Sequence, residues 1–300
     1  MNYVVAVDVG GTDIKSALVD SEFTIVKTIK QATPKNDFTG VQTIEVISGL
    51  VREFEKLHPI DAVGLVIPGA LDEVSGKSRW SGNLQWRDLP IRDLLQSKIK
   101  IPVAFGHDVR TAAIAELRRG AASGARNAIF IPIGTGIAAA LIMDGQIVAS
   151  DGYAGEIGHI NVNGQYQCVC GKKGCLEAIS STLAISKAFE QLSNKSGTST
   201  EEIFNLVKAH DPIAIQVWED ATSALARACE ILITVLAPEI IVFGGGLSNA
   251  GETLISPIQD YLNRQLTFQR MPKLEIAHFG AKAGTVGSAM MAFDLMKVEF

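Results

Sequence analysis

Apolar residues along the chain fall into two kinds of block. Short β-branched runs that stop at glycines, such as YVVAVDV near the start and EIIVFGGGLS after Pro238, read as buried strands. Longer stretches with apolar residues three or four apart read as helices, because that spacing lines one helical face. The first covers Gly40–Leu57, where Val41, Ile44, Ile47, Leu50, Val51 and Phe54 share a side. The pattern thus predicts a strand (YVVAVDV), a glycine turn, a second strand (IKSALVD), a third (FTIVKTI), that helix, and a buried strand IDAVGLVIPG. DEVSGKSRWSGNLQWRDLP is rich in turn formers and tryptophan and reads as a structured surface loop. A short helix (Ile91–Gln96), a strand VAFGHD and a helix from about Val109 to Arg119 follow.

The second half opens as the first does. NAIFIPIGTGIAAALIMDGQIV is again strand, glycine turn, strand, and both turns carry G-T-x-I-x-x-A-L. The pattern falls on Gly11, Thr12, Ile14, Ala17 and Leu18, and again on Gly134, Thr135, Ile137, Ala140 and Leu141. Two matching hairpins, each opening one half, favour a duplicated α/β domain over two unrelated turns. RRGAASGAR, around Arg119–Arg126, suggests the boundary, giving domains 1–119 and 120–300. Helices are expected at Ser181–Leu192, Glu201–Ala209 and Ile213–Leu236, then the strand ending at Gly244–Gly246, a further helix and a strand KLEIAHF. A last apolar helix, Gly284–Met296, has the option of packing back on the first domain.

Composition narrows the function classes. Of 300 residues 47% are hydrophobic and 20% charged, which is globular. The net charge of −5 gives a nucleic-acid partner no electrostatic support, and Arg118–Arg119 and Lys172–Lys173 are short solvated runs. The start lacks a cationic segment and cleavage site, and no apolar run has membrane-spanning length, so a cytoplasmic protein is expected. In a reducing compartment, clustered cysteines read as metal or catalysis before disulfide.

Four sets of residues carry candidate chemistry. DVGGT, IGTG and FGGG end apolar strands with glycine turns, whose backbone N–H groups can approach an anion. Taken singly, each turn serves equally well as a packing device. Asp8, beside the first turn, would repel phosphate unless Mg²⁺ intervenes. The cysteine segment has C-x-C-x4-C at Cys168, Cys170 and Cys175, with His159 nine residues earlier. Three thiolates and an imidazole make a closed tetrahedral set for structural zinc, with buried or redox-active thiols as the alternative. Cys229 lies in an apolar helix and reads as core. Asp108 ends a strand just before a helix, as a general base or simply as the helix cap.

These segments resemble the ROK family (repressors, uncharacterised frames and sugar kinases) along almost the whole chain. DVGGTDIK is similar to its first phosphate motif, IPIGTGI to its second, VFGGGLS to its adenosine segment, and EIGHINVN…CVCGKKGCLE to its most specific signature. The resemblance implies an α/β, two-domain actin–hexokinase (ribonuclease H-like) fold with duplicated β-sheet domains, a small zinc knuckle, and ATP and sugar bound between the domains. It assigns ATP and Mg²⁺ to Asp8, Gly10, Gly11, Thr12, Lys15, Gly134, Thr135, Gly136, Gly244, Gly245 and Gly246. Zinc falls on His159, Cys168, Cys170 and Cys175; Glu156, His159 and Glu177 would then hold sugar hydroxyls, where bare sequence allows solvated glutamates. Gly69 and Asn83 match further sugar contacts, and Asp108 matches the catalytic aspartate. His107 stands where the family commonly has asparagine, which leaves the sugar open. GTGIAAAL and SRWSGNLQW also depart from the usual pattern.

The implied activity is transfer of the ATP γ-phosphate to a hexose 6-hydroxyl. Glucose is the first choice, and an N-acylhexosamine (N-acetylmannosamine or N-acetylglucosamine) the second. From another class come sugar-responsive repressors, whose N-terminal helix-turn-helix finds no room before a strand starting near Tyr3, and a non-catalytic sugar-binding regulator. Expected partners are a small-molecule sugar and ATP, with no nucleic acid or membrane, in a homodimer or homotetramer.

Overall fold

The computed structural model describes residues 1–297. They divide into two compact units, one of Met1–Glu116, Ala149–Tyr153 and the chain from Lys282 onward, the other of Leu117–Val148 and Ala154–Ala281. The units are thus not contiguous stretches, whereas the sequence division at 119/120 is.

The first unit contains β1 (Tyr3–Val9), β2 (Asp13–Asp20), β3 (Ile25–Ala32), α1 (Val41–Glu55), β4 (Ala62–Ile67), β5 (Ala70–Asp72), β6 (Lys77–Ser81), β7 (Trp86–Leu89), α2 (Ile91–Ile99) and β8 (Val103–His107). Helix α3 (Asp108–Arg119) follows β8 directly. The second unit contains β9 (Ala128–Pro132), β10 (Ala140–Met143), β11 (Gln146–Ile147), α4 (Glu177–Ser180), α5 (Thr182–Ser193), α6 (Thr200–Lys208), α7 (Pro212–Leu236), β12 (Ile240–Gly244), α8 (Glu252–Gln265) and β13 (Lys273–Ile276). Helix α9 (Ala283–Lys297) belongs to the first unit.

The two main sheets have one topology. Their orders are β3-β2-β1-β4-β8 and β11-β10-β9-β12-β13. In each, the opening three strands are antiparallel neighbours and the remaining two join in parallel. The repeated G-T-x-I-x-x-A-L pattern occupies the same hairpin in both, β1–β2 and β9–β10. The duplication expected from sequence is therefore present as a duplicated sheet.

Side-chain alternation along β1 sorts the first unit's core into two faces. Val5, Val7 and Val9 join Ile44, Ile47, Leu50, Val51 and Phe54 of α1. Val4 and Ala6 join Ala62, with Ala289, Ala292 and Phe293 of α9. Small residues on this second face let α9 lie close. A Cβ on Gly64 would run into the Ser288 carbonyl oxygen. Gly64→Ala is expected to cost about 1–3 kcal/mol by overpacking, read from the denaturant midpoint; an unchanged midpoint would show that α9 shifts freely. In the second unit, Ile129, Ile131, Ile241 and Phe243 of the sheet pack with Ile185, Phe189, Ile203, Trp218, Leu225 and Ile258 of the helices.

The segment read as a surface loop is instead a three-stranded antiparallel sheet, β5-β6-β7. Its turn formers sit between short strands, and Trp86 anchors it by donating Nε1–H to the Asp37 carbonyl at 2.7 Å. The VAFGHD strand ends one residue early, at His107, and Asp108 opens α3. No helix of the described residues is long and apolar enough to cross a membrane.

Candidate functional site

In the first unit the candidate residues gather at the strand ends of the main sheet. Asp8 lies opposite Lys15 in the β1–β2 register. Burial raises the Asp8 carboxyl above its ordinary range, and the Lys15 ammonium partly offsets this. The turn that follows is held by its carbonyls: Thr33 Oγ1 donates to Gly10 O at 2.7 Å, the Thr33 N–H to Thr12 O at 2.9 Å, and Lys35 Nζ to Gly11 O at 2.7 Å. Asn83 sits against the turn, since a Cβ on Gly11 would lie 3.2 Å from its Cβ. Gly69 has φ 114°, and a Cβ there would meet the Ser81 backbone at 2.9 Å. Only glycine suits this left-handed, crowded position.

Asp108 and His107 lie side by side. The Val109 N–H donates to Asp108 Oδ1 at 2.7 Å, which sets the carboxylate in the first turn of α3. The same N–H reaches His107 Nδ1 at 3.2 Å, which is also the Nδ1–Oδ1 separation. That separation is an ion pair only for charged imidazole, and the surroundings forbid the charge. Burial, with the Arg110 guanidinium added, pushes His107 down to about 3. A neutral ring accepting at Nδ1 carries its proton on Nε2. Glu73 Oε1 receives the His107 N–H at 3.1 Å and Arg110 Nε and Nη2 at 3.1 and 3.0 Å.

The second unit brings together the second and third glycine turns. The Ile133 N–H donates to Gly244 O at 2.9 Å. Gly245 has φ 73°, and a Cβ there would strike the Ile133 backbone, so both conformation and space call for glycine. Within the second turn the Gly134 N–H donates to Gly136 O at 3.0 Å, and Gly134 O accepts the Thr182 N–H of α5 at 2.8 Å. Glu177 reaches this turn as well: its Oε2 accepts the Ile137 N–H at 2.9 Å. Glu156 is exposed and precedes the helical turn Ile157–His159.

The cysteine segment folds as a knuckle. Gly171 and Gly174, with φ 89° and 81°, turn the chain so that the Cys168 N–H meets Lys172 O at 2.8 Å and the Gly174 N–H meets Tyr166 O at 3.1 Å. One donor atom each from His159, Cys168, Cys170 and Cys175 lies within 4.8 Å of all the others. His159 Nδ1 is 3.7 Å from Cys168 Sγ, and the Cys170 and Cys175 sulfurs are 3.6 Å apart. With Zn–S about 2.3 Å and Zn–N about 2.0 Å, tetrahedral zinc sets neighbouring donors roughly 3.5–3.8 Å apart. The cluster is compatible with zinc. Burial and the two neighbouring thiols push Cys175 up to about 12, so without a cation it stays protonated. All four cysteines are free, and Cys229 is fully buried in α7.

Among known families, the one described as the ROK family matches residues 4–294. The chain belongs to the ROK family. A glucokinase of Halalkalibacterium halodurans is 33% identical to it, over 96% of this chain and 94% of the other. The crystal structure of a ROK family glucokinase from Streptomyces griseus, in complex with glucose and AMPPNP, matches with a TM-score of 0.85 at 28% identity, covering 98% of this chain and 100% of that one. A DNA-binding transcriptional dual regulator of Escherichia coli is 29% identical over 70% of this chain but only 54% of its own length. The duplicated sheets are thus those of the α/β actin–hexokinase-like ROK fold.

Sequence reasoning missed several residues that hold these candidate residues in place. Glu73 and Arg110 fix the backbone carrying His107 and Asp108, and Lys35 holds the first turn. Trp80 is 54% exposed, with its ring over Gly82 next to Asn83, while Trp86 and Trp218 are buried. The glycine and tryptophan of SRWSGNLQW were visible signals; the Glu73 and Arg110 partnerships were not.

Proposed function

We propose that the protein is an ATP-dependent glucose kinase acting on the 6-hydroxyl. The observation that carries this is the near full-length similarity to glucokinases, including one described in complex with glucose and AMPPNP. The oxygen of the 6-hydroxyl forms its bond to the γ-phosphorus, the bond from that phosphorus to the bridging oxygen breaks, and ADP leaves. Asp108 takes the hydroxyl proton. The turns at Gly10–Thr12 and Gly134–Gly136 hold phosphates, with Lys15 beside the first and Gly244–Gly246 on the nucleoside side. Asp8 is the carboxylate that would hold Mg²⁺, directly or through water, where the ion would neutralise phosphate charge. Gly69, Asn83, His107, Glu156, His159 and Glu177 hold the sugar. The three cysteines and His159 Nδ1 would hold Zn²⁺, a closed site that supplies rigidity. His159 keeps Nε2 for the sugar.

An ADP-release assay with Mg·ATP across a sugar panel tests this. Glucose is expected to give the highest kcat/KM, and no turnover with any hexose sinks the kinase reading in favour of a sugar-binding regulator. His107, where the family commonly has asparagine, leaves the sugar open, and the second reading is an N-acylhexosamine kinase, which faster turnover of an N-acetylated sugar would select. Light scattering checks for the expected homodimer or homotetramer.

His107→Ala is expected to raise the sugar KM about tenfold, the worth of one hydrogen bond. The pH–rate profile should keep its shape, because the wild-type ring stays neutral down to about 3. A wild-type limb near pH 6.5 that vanishes in the variant would show instead that His107 titrates in the working range.

A further inference from the structure

Glu177 follows two residues after Cys175 and opens α4, and the family resemblance gives it only to the sugar. Its contacts lie elsewhere. Oε2 receives the Ile137 N–H, from a residue forty positions away and 4% exposed. Around that oxygen the turn is shaped to admit a carboxylate. A Cβ on Gly136 would lie 2.8 Å from Oε2, and one on Gly158 would lie 3.3 Å from it. Backbone ties also hold the turn: Thr182 N–H to Gly134 O, Ala139 N–H to Gly155 O, and the antiparallel bridge between Ile133 and Ile137. Glu177 adds a side-chain brace to it.

From this geometry we infer that Glu177 is a positioning residue for the nucleotide turn: one carboxylate oxygen holds Gly134–Ile137 in its anion-binding shape, and the other remains for the sugar. This rests on the proposed reading of that turn as a phosphate site. The Gly134 amide is taken by Gly136 O and the Ile137 amide by Glu177, so phosphate contacts from this turn fall to the Thr135 and Gly136 amides and the Thr135 hydroxyl. A side-chain oxygen that accepts a buried amide at 2.9 Å satisfies a donor that would otherwise be left unpaired away from water. A carboxylate shared in this way also links the two ligands. Any shift of Glu177 on sugar binding reaches the phosphate turn, and by thermodynamic reciprocity nucleotide binding reaches the sugar.

The test uses the full-length, metal-loaded protein with Glu177→Ala and Glu177→Gln. Two readouts need no turnover: amide hydrogen exchange across residues 133–140 without ligands, and calorimetric titration with Mg·ADP without sugar. In Glu177→Ala the Ile137 amide should exchange faster, and Mg·ADP affinity should fall about tenfold or more, the cost of leaving that buried amide without its acceptor. Glutamine can still accept the Ile137 N–H through its amide oxygen. Glu177→Gln should therefore keep the exchange pattern and the Mg·ADP affinity while its sugar KM rises. Protection of β12 and metal content, equal in all three proteins, exclude general unfolding. Unchanged exchange at 133–140 in Glu177→Ala overturns the brace, and faster exchange with unaltered Mg·ADP affinity overturns its role in nucleotide binding. Wild-type protein that binds no Mg·ADP, yet shows the exchange difference, overturns the kinase reading and the nucleotide role with it, leaving the brace itself demonstrated.

Discussion

Asp108→Asn is expected to lower kcat by about 10²–10⁴, the usual contribution of a positioned general base, with the sugar KM within about threefold of wild type on the same grounds. The reason lies in what the substitution preserves. Asparagine has the shape of aspartate, and its amide oxygen can still accept the Val109 N–H, so the first turn of α3 keeps its local hydrogen bond. On the proposed reading, asparagine lacks the capacity to accept the 6-hydroxyl proton. The neighbouring imidazole cannot take over. His107 is held down to about 3 by burial and Arg110, and its Nδ1 already faces the Val109 N–H. Steady-state kinetics on the sugar panel, with sugar affinity measured separately, decides the matter. Turnover within threefold of wild type would leave Asp108 as a helix-end carboxylate and no more.

Parts of this site were legible in sequence because their chemistry is tied to residue identity. Glycine at a left-handed, crowded position such as Gly69 or Gly245 has no substitute, so the turns announce themselves. Thiols and imidazole at C-x-C-x4-C spacing do the same, and the structure gathers those four donors within 4.8 Å. The duplicated hairpin pattern foretold a sheet topology that occurs twice. What sequence hid depends on pairings between distant segments. The strands β5–β7 are short and separated by turn formers, so period-two alternation has no room to show; only their anchor to Asp37 and their mutual pairing reveal them. Glu73 looks like one more loop acid until it meets His107 and Arg110, thirty-four and thirty-seven residues later. Glu177 likewise betrays nothing of its bond to Ile137, forty residues earlier. Local pattern names the chemical groups; long-range contacts decide what each one holds.

Removing the metal from the Cys₃His cluster is expected to have the second large effect. Protein purified without chelator should carry about one zinc per chain, as a single four-donor site implies. Cys168→Ser should lose it and lower kcat/KM for the sugar by about 100-fold or more, at or beyond the upper range for disturbing a metal site's supporting residues. The effect should be local. Ile157, Val162 and Leu176 of the knuckle segment join the second unit's main cluster at its margin, but most of that cluster comes from β9, β12 and helices α5 to α8. Amide exchange is therefore expected to rise across residues 159–177 and to stay slow in β12. Cys229→Ala is the control: its thiol is fully buried in α7, apart from the cluster, and the variant should keep its zinc. Sugar affinity should fall further than nucleotide affinity, because His159 loses its fixed ring orientation outright while the Ile137 brace is only loosened at Glu177. Metal analysis that finds no zinc in the wild type, or a Cys168→Ser enzyme as active as the wild type, would return the cysteines to the role of thiols without a metal, Cys168 and Cys175 buried and Cys170 exposed.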